Sequence, residues 1–258
     1  MRHWTWTPSP GVTVALVPID EMLSATAALD RLRPEELGAA AAMAPWRARE
    51  HLAGRALLRL LLVEPLGEEG ARSPLVPEPN GRPRLPASPS TGVSVSHSGR
   101  YAAAAIGMGV DIGVDVQAPR APSSGMLRRC CTPRTAARLA KMPPDRAARA
   151  FAQVWTVQEA CVKARGTGLS GAPWRVPAEP DRPVGAWGGL RWQRLPWPAA
   201  AGARHTALAL AFGPPPGTHT RRDRGAGGPP PEPLREDPLP TTAPRRSAPS
   251  FPKEPDAH

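Results

Sequence analysis

Gly109-Val110-Asp111-Ile112-Gly113-Val114-Asp115-Val116-Gln117 alternates strictly between branched apolar residues and small or polar ones. A side-chain period of two makes this a β-strand, with Val110, Ile112, Val114 and Val116 on one face. Asp111, Gly113, Asp115 and Gln117 fall on the other. Further on, Phe151-Ala-Gln-Val-Trp-Thr-Val-Gln-Glu159-Ala-Cys-Val-Lys163-Ala-Arg-Gly166 has a different period. Phe151, Val154, Val157 and Cys161 form one helical stripe, while Glu159 and Lys163, four apart, share another face. Gly166 and Gly168 end that helix. Strand and helix patterns alternating in this way define a mixed α/β (α+β) chain.

Working outward, residues 92–96, 101–106 and 110–116 read as strands, preceded by a strand over 11–19. An alanine-rich helix over 34–43 carries Glu35 and Glu36 in its first turn, where the helix dipole favours them. A longer helix over 46–63 is apolar at Leu52, Ala56, Leu60 and Val63 and basic at Arg47, Arg49, Arg55 and Arg59. Glu78-Pro-Asn80-Gly81-Arg82-Pro83-Arg-Leu-Pro86 is a loop around an Asn-Gly turn. Helices over 134–140 and 145–165 precede strands near 187–195 and 205–212. Arg100-Tyr-Ala-Ala-Ala-Ala-Ile-Gly resembles His205-Thr-Ala-Leu-Ala-Leu-Ala-Phe-Gly, which is consistent with two pseudo-symmetric α/β subdomains, 1–109 and 110–212.

The remaining residues, 213–258, hold 13 of the 36 prolines and few large apolar side chains, so they read as a Pro-rich disordered tail. The formal charge of +11 therefore belongs mainly to residues 1–212, which have 26 basic against 16 acidic side chains. A basic surface implies an acidic partner: nucleic acid, a phosphorylated small molecule or an acidic protein. No apolar run approaches the roughly 20 residues of a membrane-spanning helix, and the N-terminus has no signal-peptide core. Cys130, Cys131 and Cys161 match neither a disulfide framework nor a zinc knuckle. A cytoplasmic protein is expected.

Three groups of residues carry possible chemistry. Asp115 and Gln117 set a carboxylate beside an amide oxygen, which suits Mg²⁺ when substrate phosphates complete its shell. A solvated edge strand has the same pattern. Glu159 and Lys163 are either an exposed ion pair of little consequence or part of a site. Val93-Ser-Val-Ser96-His97-Ser98 offers hydroxyl and imidazole groups to phosphate oxygens. A Ser–His nucleophilic pair is disfavoured, since neighbours on a strand point to opposite faces.

In this order, these pieces resemble the 4′-phosphopantetheinyl transferase superfamily in its larger, pseudodimeric, surfactin-synthetase-activator type. The resemblance runs from about Arg47 to Leu169, through Leu52-Ala-Gly-Arg-Ala-Leu-Leu-Arg59, Asn80-Gly-Arg-Pro83, Ser94-Val-Ser-His-Ser98, Gly113-Val-Asp-Val-Gln117 and Trp155-Thr-Val-Gln-Glu-Ala-Cys-Val-Lys163. It implies a holo-[acyl-carrier-protein] synthase type of enzyme. Such an enzyme moves the 4′-phosphopantetheine of coenzyme A to a serine of an apo acyl or peptidyl carrier protein, releasing adenosine 3′,5′-bisphosphate. By the same resemblance Asp115, Gln117 and Glu159 hold Mg²⁺, and Glu159 takes the serine proton. Lys163 holds the α-phosphate and assists the leaving oxygen. Ser96, His97, Arg82 and a helix arginine, with Arg49 preferred, bind the 3′-phosphate region.

The family more often has Glu where Gln117 stands, and the loss of that charge weakens a metal site without abolishing it. Asp111 looks like a decoy for Asp115 because it precedes Ile112 in the same pattern. Two other classes remain: a silent carrier-protein-binding relative, and a basic nucleic-acid module. The second lacks a recognisable motif or an aromatic platform, with Trp4, Trp46, Trp155 and Trp174 read as core. The resemblance implies a monomer that binds no nucleic acid and no membrane.

Overall fold

The computed structural model describes residues 1–198, 201 and 206–215; the expected tail beyond Pro215 lies outside the described residues, as does His205. The elements are β1 (Trp4–Ser9), β2 (Val12–Pro18), α1 (Ile19–Leu23), α2 (Thr26–Leu29), α3 (Pro34–Ala41), α4 (Pro45–Ala71), β3 (Val76–Pro77) and β4 (Pro83–Arg84). There follow β5 (Thr91–Ser98), β6 (Tyr101–Met108), β7 (Asp111–Gln117), α5 (Ser124–Cys130), α6 (Pro133–Ala140) and α7 (Pro144–Arg165). The last are β8 (Val184–Trp187), β9 (Leu190–Arg194) and β10 (Ala207–Gly213).

Two antiparallel sheets have the orders β1-β2-β6-β5 and β7-β10-β9-β8. Their shared part is one pattern used twice: a strand, then helices, then two strands that return beside the first. β2-β6-β5 therefore corresponds to β7-β10-β9. The likeness between the Tyr101 and His205 segments follows from this, because β6 and β10 take equivalent central places. Both are buried on two faces, which favours their small residues. Ala103 and Ala105 of β6 pack between the sheets and Ala102 and Ala104 pack under α4.

The strict alternation of β7 now has its physical cause. Ile112, Val114 and Val116 enter the core between the sheets with Val12, Val14, Leu16, Leu208 and Leu210. The opposite face meets α7, whose Val157, Ala160, Cys161 and Ala164 are buried against β10 and β9 residues. At Gly113 the helix comes so close that a Cβ would lie 2.1 Å from the Ala160 carbonyl oxygen and 2.4 Å from the Ala164 amide nitrogen. Only glycine permits that approach.

β5 and β7 share no backbone ladder; the free edge of β7 meets the serine-bearing face of β5. The hydroxyls of Ser94, Ser96 and Ser98 accept hydrogen bonds from the backbone amides of Val114, Val116 and Ala118, at 3.0, 3.3 and 3.0 Å. These serines stand on the β7 side of β5, while Val93 and Val95 pack toward α4.

Four expectations are corrected. α4 continues past residue 63, with a break at Gly67 (φ 70°). Arg59 is not on a basic surface: it is fully buried, with its Nε 2.7 Å from Glu36 Oε2 and its Nη1 2.6 Å from the Ala71 carbonyl. That pair fastens α3 and the end of α4 to the helix body. Trp46 is 49% exposed, whereas Trp192 is a buried tryptophan. Gly213, read as tail, is the last residue of β10 and pairs with Asp111. No helix among the described residues is long and apolar enough to cross a membrane.

Candidate active site

The close approach at Gly113 lets β7 and α7 deliver their polar residues to one place. Lys163 Nζ donates to Asp115 Oδ1 at 2.6 Å, Ser96 Oγ at 3.0 Å and the Val114 carbonyl at 3.3 Å. Ser96 Oγ in turn donates to Asp115 Oδ1 at 2.8 Å. Asp115 is thus fixed through one carboxylate oxygen. Its other oxygen, Oδ2, is buried, and so is Glu159 Oε1; neither finds a hydrogen-bond partner among the described residues. Burial, reinforced by the negative charge of Asp115 and opposed by Lys163, pushes the Glu159 carboxyl up to about 7. A buried carboxyl poised near neutrality is a group able to accept a proton.

Glu159 and Lys163 open on a cavity of about 260 Å³, closed opposite by Asn80, Gly81, Arg82 and Pro83 and at one end by Gly168 and Leu169. The Asn80–Pro83 turn is held by the Asn80 side chain, which accepts from the Arg82 amide at 3.1 Å, and by Gly81 at φ 85°. A second cavity of about 210 Å³ shares Gly81, Pro83 and Val95 with the first. Arg47, His51, Arg55 and His97 line it, together with Glu50 and Met43. Arg55 Nη1 and His51 Nε2 are buried there without a hydrogen-bond partner among the described residues. Burial lowers the pKa of both side chains, which an entering anion would reverse.

The expected residues divide as follows. Asp115, Glu159, Lys163 and Ser96 come together at one point. Ser96 does so with its hydroxyl on Asp115 and Lys163 and only 6% exposed. Its hydroxyl, which also accepts from the Val116 amide, is committed to the protein, so Ser96 orients those two groups and does not serve a substrate phosphate. His97 lies on the opposite face of β5, Nδ1 3.0 Å from Glu50 Oε2, as strand geometry requires. Gln117, at the end of β7, donates through Nε2 to the Ala118 carbonyl at 3.1 Å. Arg49 is not at the second cavity: its Nη2 pairs with Asp20 Oδ1 at 2.5 Å on an exposed surface. Arg47, His51 and Arg55 recur at i, i+4 and i+8, one face of α4 that excludes Arg49. That spacing was the available signal for His51 and Arg55. Arg82 is at the first cavity, but buried and paired with Asp111 at 2.8 Å. Asp111 is 3% exposed and no solvated decoy.

Two hard carboxylate oxygens with no partner fit a divalent cation that takes its other ligands from a substrate and water. The described residues contain no cluster of three or more His, Cys, Asp or Glu side chains that could enclose a metal unaided. Burial pushes the thiols of Cys130 and Cys131 up to about 11 and that of Cys161 to about 12, so they take no part as nucleophiles.

Two pseudo-repeated sheet-and-helix units carry a buried carboxylate–lysine centre beside a cavity lined by Arg47, His51, Arg55 and His97. The sequence comparisons make the assignment. The profile of the 4′-phosphopantetheinyl transferase superfamily matches residues 108–187, and that of the 4′-phosphopantetheinyl transferase N-terminal domain matches residues 34–107. The chain belongs to the 4′-phosphopantetheinyl transferase superfamily. It is 28% identical over 123 residues to the 4′-phosphopantetheinyl transferase of Bacillus subtilis, covering 48% of this chain and 54% of that protein. It is 29% identical over 185 residues to the 4′-phosphopantetheinyl transferase HetI of a Nostoc species, covering 66% of this chain and 78% of the relative. The chain thus spans about half the length of the first relative and most of the second.

Proposed function

We propose that this chain transfers the 4′-phosphopantetheine arm of coenzyme A to a serine hydroxyl of an apo acyl or peptidyl carrier protein, leaving adenosine 3′,5′-bisphosphate. The observation that carries the reading is the pair of unpartnered buried carboxylate oxygens, on Asp115 and Glu159, beside the cavity that joins the Arg47–His51–Arg55–His97 pocket. The 3′-phosphate would enter that pocket, where Arg55 and His51 have donors to give. The pyrophosphate would cross the shared wall toward Lys163. Mg²⁺, held by Asp115 and Glu159, supplies charge neutralisation on the pyrophosphate when bound.

The protein groups then have distinct tasks. Lys163 moves its ammonium from Asp115 toward the α-phosphate and stabilises the departing oxygen. Glu159 accepts the serine proton. Ser96 keeps Asp115 in place while Lys163 shifts. Gln117 would offer the metal shell its amide oxygen, which the hydrogen bond from Nε2 to Ala118 leaves unused. We take residues 1–109 and 110–213 as the two halves of the enzyme, acting as a cytoplasmic monomer without nucleic acid. Incubation with coenzyme A, Mg²⁺ and several apo carrier proteins tests the reading by mass spectrometry. A phosphopantetheine-sized mass increase on a carrier supports it, and no modification of any carrier overturns it.

A further inference from the structure

Asp111 sits four residues before Asp115 on the same face of β7, at the strand's first position. Its Oδ1 accepts from Arg82 Nη2 at 2.8 Å, and its Oδ2 lies 3.6 Å from Arg165 Nη1. The Asp111, Arg82 and Arg165 side chains are 5%, 7% and 15% exposed. Asp111 thus hydrogen-bonds one enclosed guanidinium, that of Arg82, and lies within ion-pair range of a second, that of Arg165. Arg82 comes from the Asn80–Pro83 turn and passes beside Gly166, where a Cβ would lie 3.0 Å from Arg82 Cδ. Arg165 is the last residue of α7, two positions after Lys163. It also donates to the Pro214 carbonyl at 3.1 Å and to the Gly188 carbonyl. The Arg82 Nε is buried with no hydrogen-bond partner among the described residues.

We infer that Asp111 is a positioning residue, which locks Arg82 in the floor of the cavity and so sets the affinity for the phosphate chain of the substrate. The inference rests on the transferase reading above. A long, flexible arginine loses rotamer freedom whenever it binds an anion, and a side chain already fixed in place loses less. The shared carboxylate also balances charge. Without it, two buried guanidinium groups repel one another and Arg82 swings out of place. Because Arg82 meets the substrate before and during reaction alike, the effect falls on binding and not on turnover.

The test is a thermodynamic cycle with coenzyme A as the probe, read by isothermal titration calorimetry and by steady-state transfer to an apo carrier protein. Asp111→Asn is expected to raise the coenzyme A Kd and KM about tenfold while kcat stays within twofold. In an Arg82→Gln background the same change should alter Kd less than twofold, because its intermediary is gone. A merely structural role would weaken binding equally in both backgrounds, and that result overturns the inference. So does an unchanged Kd for folded Asp111→Asn. If Asp111→Asn fails to fold, Asp111→Glu decides. The added methylene displaces Arg82, with a three- to fivefold rise in Kd expected and an unchanged Kd refuting. If the wild-type protein binds no coenzyme A, the transferase reading itself falls, which is separable from either result above.

Discussion

Substituting Gly113 by alanine attacks the site through its scaffold. The new methyl would stand 2.1 Å from the Ala160 carbonyl oxygen and 2.4 Å from the Ala164 amide nitrogen, with Lys163 Cβ at 3.0 Å. Ordinary contact requires α7 to retreat from β7 by about 1 Å, since the obstructing atoms are helix backbone and cannot rotate away. Overpacking of this kind costs about 1–3 kcal/mol of stability. The functional loss should be larger in proportion, because Glu159 and Lys163 move with the helix while Asp115 stays on the strand. A misplacement of ~1 Å can lower a rate ~10²-fold. Gly38→Ala, at a helical position with nothing within 4 Å of the added methyl, serves as the control and should leave rate and melting temperature unharmed. Thermal denaturation followed by transfer kinetics measures both quantities. Wild-type melting temperature and rate in Gly113→Ala would refute the close approach and the site built upon it.

Three other perturbations follow from the same geometry. Glu159→Gln should slow transfer by at least ~10²-fold while coenzyme A still binds; full rate with an apo carrier would remove Glu159 from the chemistry. Because the Glu159 carboxyl is raised in the fold to about 7, its contribution to stability is complete below the unfolded value and is lost as pH rises through about 7. The metal-free protein should therefore lose stability over that window, and Glu159→Gln should flatten this part of the melting profile; an unchanged profile counts against the burial of the charge. Gln117→Glu should reduce the Mg²⁺ concentration for half-maximal rate, read by metal titration, since a carboxylate binds a hard cation better than an amide; an unaltered or higher requirement excludes Gln117 from the shell. Ending the chain after Pro215 should preserve activity and melting temperature, whereas ending it at Phe212 removes Gly213, the strand partner of Asp111, and the carbonyl bound by Arg165. Equal behaviour of the two truncations would show that β10 does not need its last residue.

The central strand and helix were legible because both patterns are imposed by burial. The valines of β7 and the apolar stripe of α7 alternate with the periods of the surfaces they cover. The joining of Asp115, Glu159 and Lys163 was likewise readable, through the order of motifs. What escaped were features that depend on the partner of a polar side chain. Ser96 has the same residue type whether it meets a phosphate or Asp115, and Asp111 the same whether solvated or between two arginines. The basic stripe of α4 divides for a similar reason, with Arg47 and Arg55 at a cavity, Arg49 outside it and Arg59 inside the protein beside Glu36. Helical spacing separated the first three, but nothing local marked Arg59 as buried. β1 was missed although Trp4-Thr-Trp-Thr alternates aromatic and β-branched residues as a strand does, because the run is cut short at Pro8; it forms by pairing with β2.

The row of hydroxyls between β5 and β7 has a consequence for solubility. An open strand edge offers unpaired amides to any passing chain, and proteins usually mask such edges with charges, prolines or bulges. Here the free edge of β7 is covered by Ser94, Ser96 and Ser98, whose hydroxyls take up the amides of Val114, Val116 and Ala118 that a passing chain would otherwise pair with. A hydroxyl holds each amide without imposing the register of a continuous ladder, so the sheets keep their own twist. The middle serine of that seal is also the one that steadies Asp115. Protection against aggregation and the alignment of the reacting groups are thus tied to a single side chain, and selection on either one constrains the other.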